Sequence, residues 1–210
     1  PQQNVDFGGG LERLALVSQG KRDIFETDSF WSLMEVLQQI TQKDYSESPE
    51  ITSSMRILAD HVRSSVFLVM DGVYPSNKDQ GYVLRRLLRK ISRVGKKLGC
   101  KKNVASELAD TTVSELSWLY PNLPKLSSRI KEVFDQEEEK FIQTLERASK
   151  EVERFVEKVG SDHKFSALEL AQQSEKFYQS WGYPPEDFLA DIQSKGIKIA
   201  EEDFLAECSK

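Results

Sequence analysis

Three consecutive glycines and an arginine lie close to the start of the chain, in the run NVDFGGGLERLA at residues 4–15. A strand that runs through glycines into a helix lets the backbone approach a phosphate or a planar ligand closely, because glycine has no Cβ. Arg13 would occupy the first helical turn, where its planar guanidinium suits phosphate oxygens. Asp6 could bind a cation such as an amino group. The simpler alternative is a glycine-rich turn beside a surface arginine, since short glycine motifs are weakly specific.

A second candidate is a run of cations. Residues 82–102 include nine lysines and arginines and no acidic residue, although the net charge of the whole chain is −5. Such a run can hold a polyanion locally by neutralising phosphates, without recognising a base sequence. A solvated basic face is the alternative, but solvated faces usually mix both signs of charge. The cations that recur at helical spacing are Arg85, Arg89, Arg93 and Lys96 or Lys97.

The two histidines, His61 and His163, are not predicted to be catalytic. His61 follows Asp60 on a predicted helix with Arg63 beside it, which is typical of a packing histidine with a carboxylate neighbour. Two lone histidines and two distant cysteines cannot supply a zinc site, so no metal site is predicted.

The cysteines and the apolar runs indicate the compartment. Cys100 and Cys208 lack metal-type spacing, which favours free thiols in a reducing cytosol. No apolar run is long enough to span a membrane and no signal peptide is present, so we expect a cytoplasmic location. The chain begins with Pro1 rather than methionine, which suggests a piece of a longer protein.

The elements that must position these residues are mostly helices. Charged residues make up 30% of the 210 residues, whereas glycines and prolines are few and confined to a handful of places. Residues 2–7 could form a short strand ahead of the glycines, and Ser166 with Glu169 forms a predicted capping box. Apolar periodicity predicts helices at 11–19, 28–41, from 53 or 54 to 71, 81–98, 104–119, 127–159, after 166, at 186–196 and from 201.

The glycine motif resembles a known family. Its residues Gly8, Gly10, Leu11, Glu12 and Arg13 are similar to the third signature motif of class II aminoacyl-tRNA synthetases, in the alanine-specific form Val-Asp-x-Gly-x-Gly-Leu-Glu-Arg. The resemblance implies that Asp6 binds the ammonium of alanine and that Gly8 keeps the amino-acid pocket small. It also implies that Gly10 flanks bound ATP and that Arg13 binds the ATP phosphates.

A longer run at residues 56–99 resembles the alanine-specific synthetase family almost end to end. The matching segments are Ala59-Asp60-His61-x-Arg63, Asp71-Gly72, Pro75-Ser76-Asn77 and Gly81-Tyr82-Val83-Leu84-Arg85-Arg86. The resemblance implies recognition of a G·U wobble pair in the tRNA acceptor stem, with Asn77 contributing. The shallow minor groove of A-form RNA exposes base edges, and a carboxamide can test a guanine amino group there. Without the resemblance, Asn77 would be interpreted as a turn residue.

A third segment, residues 177–199, resembles the family run Tyr-Asp-Thr-Tyr-Gly-Phe-Pro-x-Asp-Leu. It departs at Gln179, where relatives carry the aspartate that joins Asn77 in judging the wobble pair. An amide keeps acceptor capacity but loses the charge, so a charge-assisted hydrogen bond would become an ordinary one at this position. The predicted tRNA-binding residues are therefore Asn77, Arg85, Arg86, Arg89, Arg93, Lys97 and Gln179.

Together these features predict a mainly α chain in three parts. Residues 1–22 would be a strand-turn-helix remnant of a class II catalytic core, 23–126 a helical tRNA-recognition subdomain with the basic helix, and 127–210 a long helix with a helical C-terminal subdomain. The intact enzyme would use ATP with Mg²⁺ to activate alanine and transfer it to tRNA. This portion would bind the acceptor stem and complete the ATP and alanine site.

The same features are compatible with two other classes of function. The two earlier class II motifs cannot fit before Asp6, so the isolated chain is expected to bind no cofactor and to be inactive. A stand-alone, non-catalytic helical module that binds tRNA or other structured RNA is the main alternative. A coiled-coil scaffold built on residues 127–159 would leave the basic helix and the glycine turn unexplained.

Overall fold

The computed structural model describes residues 8–100, 103–159 and 165–208, and these residues form helices and loops without a strand. The mainly α prediction is therefore confirmed, whereas the strand predicted at residues 2–7 lies outside the described residues. Short 3₁₀ turns occupy Ile24–Glu26 and Leu123–Leu126. The helices are α1 (Leu11–Ser18), α2 (Trp31–Thr41), α3 (Pro49–Met70), α4 (Asp79–Leu98), α5 (Val104–Leu116), α6 (Ser127–Val159), α7 (Ala167–Trp181), α8 (Pro185–Ser194) and α9 (Glu201–Cys208).

The chain divides into two compact units, Pro1–Glu138 and Glu139–Lys210. The division falls inside α6, which begins in the first unit and ends in the second. The predicted three-part division by function stays a prediction. The glycine motif and the basic helix both lie in the first unit.

Helix α3 begins earlier than the apolar pattern predicts. Its first residue is Pro49, and the Ser48 hydroxyl accepts a hydrogen bond from the backbone N–H of Ile51 at 3.3 Å. A serine cap followed by proline at the first helical position is a strong start, since proline lacks only an N–H that would be unsatisfied there. The predicted start of this helix at 53 or 54 is therefore wrong.

Helix α4 buries its apolar stripe in the core of the first unit. The fully buried members of the core cluster include Leu84 and Ile91 of α4 and Leu58 and Val62 of α3. Each such side chain contributes about 1.5–3 kcal/mol through removal from water. The buried stripe fixes the rotation of α4 about its own axis, so the cations of this helix are held in defined directions.

The second unit has its own core. Ala148 and Val152 of α6 are buried with Leu170, Phe188 and Phe204. The predicted capping box at the start of α7 is confirmed, because the Ser166 hydroxyl accepts from the N–H of Glu169 and the Glu169 carboxylate accepts from the N–H of Ser166. Within the described segments, every helix is too short or too polar to cross a bilayer.

Candidate functional site

The loop between α3 and α4 is a tightly bonded turn that ends at the start of the basic helix. The N–H of Ser76 donates to the carbonyl of Gly81 at 3.0 Å, which closes the turn. The Ser76 hydroxyl donates to the carbonyl of Lys78 at 2.9 Å and accepts from its N–H at 3.2 Å. Asp79 adopts a left-handed conformation with φ of 50°, which aspartate tolerates better than most residues. Asn77 is exposed within this turn.

The turn depends on the absence of a side chain at Gly81. A Cβ at this position would lie 2.3 Å from the Ser76 hydroxyl oxygen and 2.4 Å from the carbonyl oxygen of Tyr74. The second of these atoms belongs to the backbone and cannot rotate away. The matching Gly-Tyr-Val-Leu-Arg-Arg run therefore has a physical requirement for glycine at its first position.

Arg85 holds the side chain of Asn77. The Nη1 of Arg85 donates a hydrogen bond to the Asn77 Oδ1, and because a guanidinium cannot accept, the amide carbonyl must face the arginine. Among the described residues, one lone pair of Oδ1 and both amide N–H groups have no other partner, so another molecule can bind them. The two residues are eight positions apart, so the turn and the first two turns of α4 together orient the carboxamide.

The predicted cations of α4 do not share one environment. The Nε of Arg89 donates to the carboxylate of Glu137 on α6 at 2.8 Å, and the Glu137 side chain is only 6% exposed. The positive charge of Arg89 is thus largely neutralised by the Glu137 carboxylate. Arg86 and Lys97, in contrast, are exposed. The structure separates a packing arginine from cations that face solvent, which helical spacing did not distinguish.

A second glutamate of α6 reinforces the contact with α4. The Glu138 carboxylate accepts from the Ser92 hydroxyl at 3.0 Å and from the backbone N–H of Asn103 at 2.8 Å. The Nε of Arg93 is buried and has no hydrogen-bond partner within the described part of the chain. Glu137 and Glu138 therefore hold α4 against α6, whereas Arg86 and Lys97 of the same helix remain exposed.

The glycine motif lies at the start of α1. Gly10 precedes the helix with extended backbone, and its carbonyl accepts from the N–H groups of Arg13 and Leu14, both at 3.1 Å. The Arg13 side chain is exposed and passes within 3.5 Å of where a Cβ of Gly10 would lie. A Cβ at Gly8 would meet no atom of the described residues within 4 Å. Asp6 lies outside the described residues.

A partly buried arginine, Arg63, connects α1 to α3. The Nη1 of Arg63 donates to the carbonyl of Ser29 at 3.0 Å, and its Nη2 lies 3.4 Å from the carboxylate of Glu12. The guanidinium carbon is 4.6 Å from the centre of the Phe30 ring, within the range of a cation–π contact. The sequence marked Arg63 only as a neighbour of His61 and as a motif position. The contact partners, 34 and 51 residues away, had no local pattern that could reveal them.

Two turns earlier on the same helix, Arg56 makes a comparable cluster. Its Nη2 lies 2.5 Å from the Asp23 carboxylate and its Nε donates to the Tyr45 hydroxyl at 2.7 Å, while that hydroxyl donates to Asp23. Burial raises the pKa of Tyr45, and the hydrogen bond to Asp23 raises it further, to about 12. Burial also acts to raise the pKa of Asp23, but the bonds from Tyr45 and Phe25 and the charge of Arg56 outweigh it, so that pKa is lowered.

The second unit contains the remaining predicted site residue. Gln179 is exposed on α7, and its amide donates to the Glu175 carboxylate at 3.0 Å. Close to it in sequence, the hydroxyls of Tyr183 and Ser149 donate to the same oxygen of Asp191, at 2.5 and 2.7 Å. Burial, followed by the bond to Asp191, raises the pKa of Tyr183. The Tyr-Pro segment after α7 is therefore a packed structural corner.

No cluster of three or more histidine, cysteine, aspartate or glutamate side chains that could hold a metal ion occurs among the residues described. The two cysteines of the chain are free thiols. Burial raises the pKa of the Cys100 thiol, which makes it less reactive at neutral pH.

The chain is similar to known proteins over its full length. The family model described as tRNA synthetases class II (A) matches residues 1–210. Alanine–tRNA ligase of Clostridioides difficile is 36% identical over 208 residues, which is 99% of this chain and 23% of the relative. The enzymes of Fusobacterium nucleatum and Thermotoga maritima are 36% and 34% identical, over 99% and 97% of this chain.

The chain thus spans about a quarter of the length of the curated relatives that it matches. The match covers both the glycine motif beside α1 and the turn that leads into the basic helix. It also covers residues 177–199, the third segment that carries the sequence resemblance. The chain belongs to the class II (A) family of tRNA synthetases.

Proposed function

We propose that this chain is a portion of an alanine–tRNA ligase, which activates alanine with ATP and transfers it to tRNA in the cytoplasm. Within that enzyme, this portion binds the acceptor stem and contributes to the ATP and alanine site. The observation that carries the proposal is the closed turn at Ser76–Gly81, which presents an arginine-oriented carboxamide at the start of a helix with exposed cations.

The exposed cations of α4 bind the RNA backbone. Arg86 and Lys97 face solvent, where they can approach phosphate oxygens. Contacts of this kind position a duplex and supply salt-dependent affinity, but they do not distinguish base pairs. Arg85 contributes mainly through Asn77, and Arg89 through its ion pair with Glu137.

Asn77 supplies the recognition of the wobble pair. Its carboxamide is held by Arg85 and keeps one acceptor site and two donors available. A guanine in a wobble pair offers its amino group to the minor groove, and the neighbouring acceptor atoms can take the amide N–H groups. Gln179 is proposed as a second contact, with a neutral amide in the place of a carboxylate.

The glycine motif is proposed to contact ATP and alanine. Arg13 is exposed at the start of α1, where it can bind phosphate oxygens, and Gly10 keeps the backbone beside it accessible. Asp6 and Gly8 are the proposed alanine contacts. Class II synthetases use Mg²⁺ with ATP, but the described residues include no cluster that fits a metal, so we assign no residue to it.

Replacing Asn77 with alanine is expected to reduce selectivity for the wobble pair rather than overall affinity. The variant should bind acceptor-stem hairpins with G·U and G·C pairs almost equally, because a lost base contact is worth about 1–3 kcal/mol of discrimination. Fluorescence anisotropy with both hairpins at low ionic strength measures this. If the native chain bound neither hairpin, the proposed function would be wrong.

Removing an exposed cation should reduce affinity for RNA without changing the selectivity for the wobble pair. Arg86→Ala and Lys97→Ala are each expected to weaken both hairpins equally and to lower the slope of log affinity against log salt by about 0.7–0.9. Arg89→Ala is the matched comparison on the same helix. It should lower the free energy of unfolding, because it breaks the ion pair with Glu137, and leave the salt slope almost unchanged. Equal changes in slope for Arg86 and Arg89 would show that the ion pair with Glu137 opens on binding.

A further inference from the structure

We propose that Arg63 is a positioning residue for ATP use, which acts by fixing the helix that carries Arg13. The inference rests on the function proposed above, because it requires that Arg13 binds the ATP phosphates. Arg63 contacts Glu12, the residue immediately before Arg13, through an ion pair at 3.4 Å. Arg63 lies in α3 and is not among the residues proposed above to contact ATP, alanine or RNA.

Arg63 is itself held firmly. Its side chain is 16% exposed, its Nη1 donates to the Ser29 carbonyl, and its guanidinium lies against the ring of Phe30. Phe30 is only 4% exposed and belongs to the core of the unit. The guanidinium is thus held by the Ser29 carbonyl and by the core residue Phe30, and its second nitrogen faces Glu12 of α1.

Helix α1, in contrast, has few anchors of its own. None of its side chains is buried, and three of its five apolar residues, Leu11, Leu14 and Val17, are 59–79% exposed. Beyond the end of the helix, the Gln19 amide donates to the Asp28 carboxylate at 2.7 Å. Within the described residues, the contact between Glu12 and Arg63 is the ion pair that restrains the beginning of the helix.

The consequence concerns the direction of Arg13. Two anchors at opposite ends fix a short helix in both position and rotation, whereas one anchor leaves it free to pivot. A phosphate-binding guanidinium must be held to within a fraction of an ångström, and a misplacement of about 1 Å can cost a hundredfold in rate. Glu12 and Arg13 are adjacent in α1. Loosening the ion pair of Glu12 would therefore shift Arg13, the proposed ATP contact.

The test uses the full-length ligase and two matched substitutions, Arg63→Lys and Arg56→Lys. Both residues are α3 arginines that join a carboxylate and stack on an aromatic ring, but Arg56 contacts Asp23 and Tyr45 rather than α1. Lysine keeps the charge and loses the planar fork. Alanine-dependent pyrophosphate exchange, in the absence of tRNA, gives KM and kcat for ATP and for alanine, and thermal unfolding gives the loss of stability.

Arg63→Lys is expected to raise the KM for ATP about tenfold and to leave the KM for alanine within twofold. Arg56→Lys should lower the melting temperature comparably without a change in either KM. Glu12→Gln breaks the same ion pair from its more exposed side, so it serves if the position 63 variant does not fold. The double variant Arg63→Lys with Glu12→Gln should be no worse than the more affected single variant, because both remove one contact.

An unchanged KM for ATP in both single variants of the ion pair would overturn the inference and leave Arg63 with a packing role only. Equal increases in the KM for ATP in Arg63→Lys and Arg56→Lys would overturn it as well, since the effect would then be general. A native full-length protein without exchange activity would instead overturn the proposed function, and this inference with it.

Discussion

Replacing Gly81 with alanine is expected to abolish discrimination between G·U and G·C acceptor stems and to weaken binding to both. A methyl group at this position would overlap the Tyr74 carbonyl oxygen and the Ser76 hydroxyl, so the turn must open. The bond from the Ser76 N–H to the Gly81 carbonyl would then be lost, and Asn77 would no longer be oriented. Hairpin binding by anisotropy should show selectivity no greater than that of Asn77→Ala, with at least tenfold weaker affinity, or about 1.4 kcal/mol.

The sign of the stability change makes this prediction sharp. Replacing a helical glycine with alanine ordinarily stabilises a helix by about 1 kcal/mol, whereas overpacking costs about 1–3 kcal/mol. A net loss of stability on urea unfolding is therefore expected, and a gain would contradict the described turn.

Gly95→Ala is the matched control for this substitution. It adds the same methyl group to the same helix, and that group would lie 2.9 Å from a Val104 side-chain carbon rather than from backbone. It should change stability but leave the selectivity between the two hairpins intact. A loss of selectivity in both variants would show that any strain on α4 is sufficient, and that the turn has no special part.

Removing the Glu137 carboxylate is expected to produce the largest loss of stability among the substitutions considered. Glu137→Ala takes a buried partner from Arg89, whose side chain is 23% exposed. Breaking one side of a buried ion pair typically costs about 3–5 kcal/mol, and we expect about 3 kcal/mol because Arg89 keeps some access to water. Urea unfolding of the chain, with the midpoint and slope both fitted, measures this.

Glu139→Ala provides the comparison, since this glutamate is exposed two positions further along α6. Its stability should change by less than about 0.5 kcal/mol, as is usual for surface substitutions. Glu137→Gln should fall between the two, because the amide keeps the shape and one hydrogen-bond acceptor but not the charge. If Glu137→Ala behaved like Glu139→Ala, the pair would not be holding α4 against α6.

Several elements were predictable because their causes lie close together in sequence. The capping box of Ser166 and Glu169 needs only a serine and a glutamate three residues apart. The long helix Ser127–Val159 was predicted with the bounds that the structure shows, since its apolar residues alternate four and three apart. The start of α3 was missed because it is set by Ser48 and Pro49, which are not part of an apolar repeat.

In the candidate site, too, the features with local causes were predictable and those that depend on distant residues were not. The glycine motif, the Asn77 turn and the acid-free run were visible as strings of residue types, and their proposed roles stay predictions. The separate roles of Arg86 and Arg89 were not visible. Both are arginines on one amphipathic helix, and only the position of a carboxylate 48 residues further along distinguishes them.

The sequence by itself determined the helical class, the amphipathic basic helix and the resemblance to a synthetase family, because each is a property of residue type and spacing along one segment. The tertiary structure alone decided that Arg89 packs against Glu137, that Gly81 must be glycine, and that Arg63 reaches Glu12. The physical reason is that periodicity fixes the direction of a side chain around its own helix axis. It does not specify which distant backbone or charge will be packed against that direction.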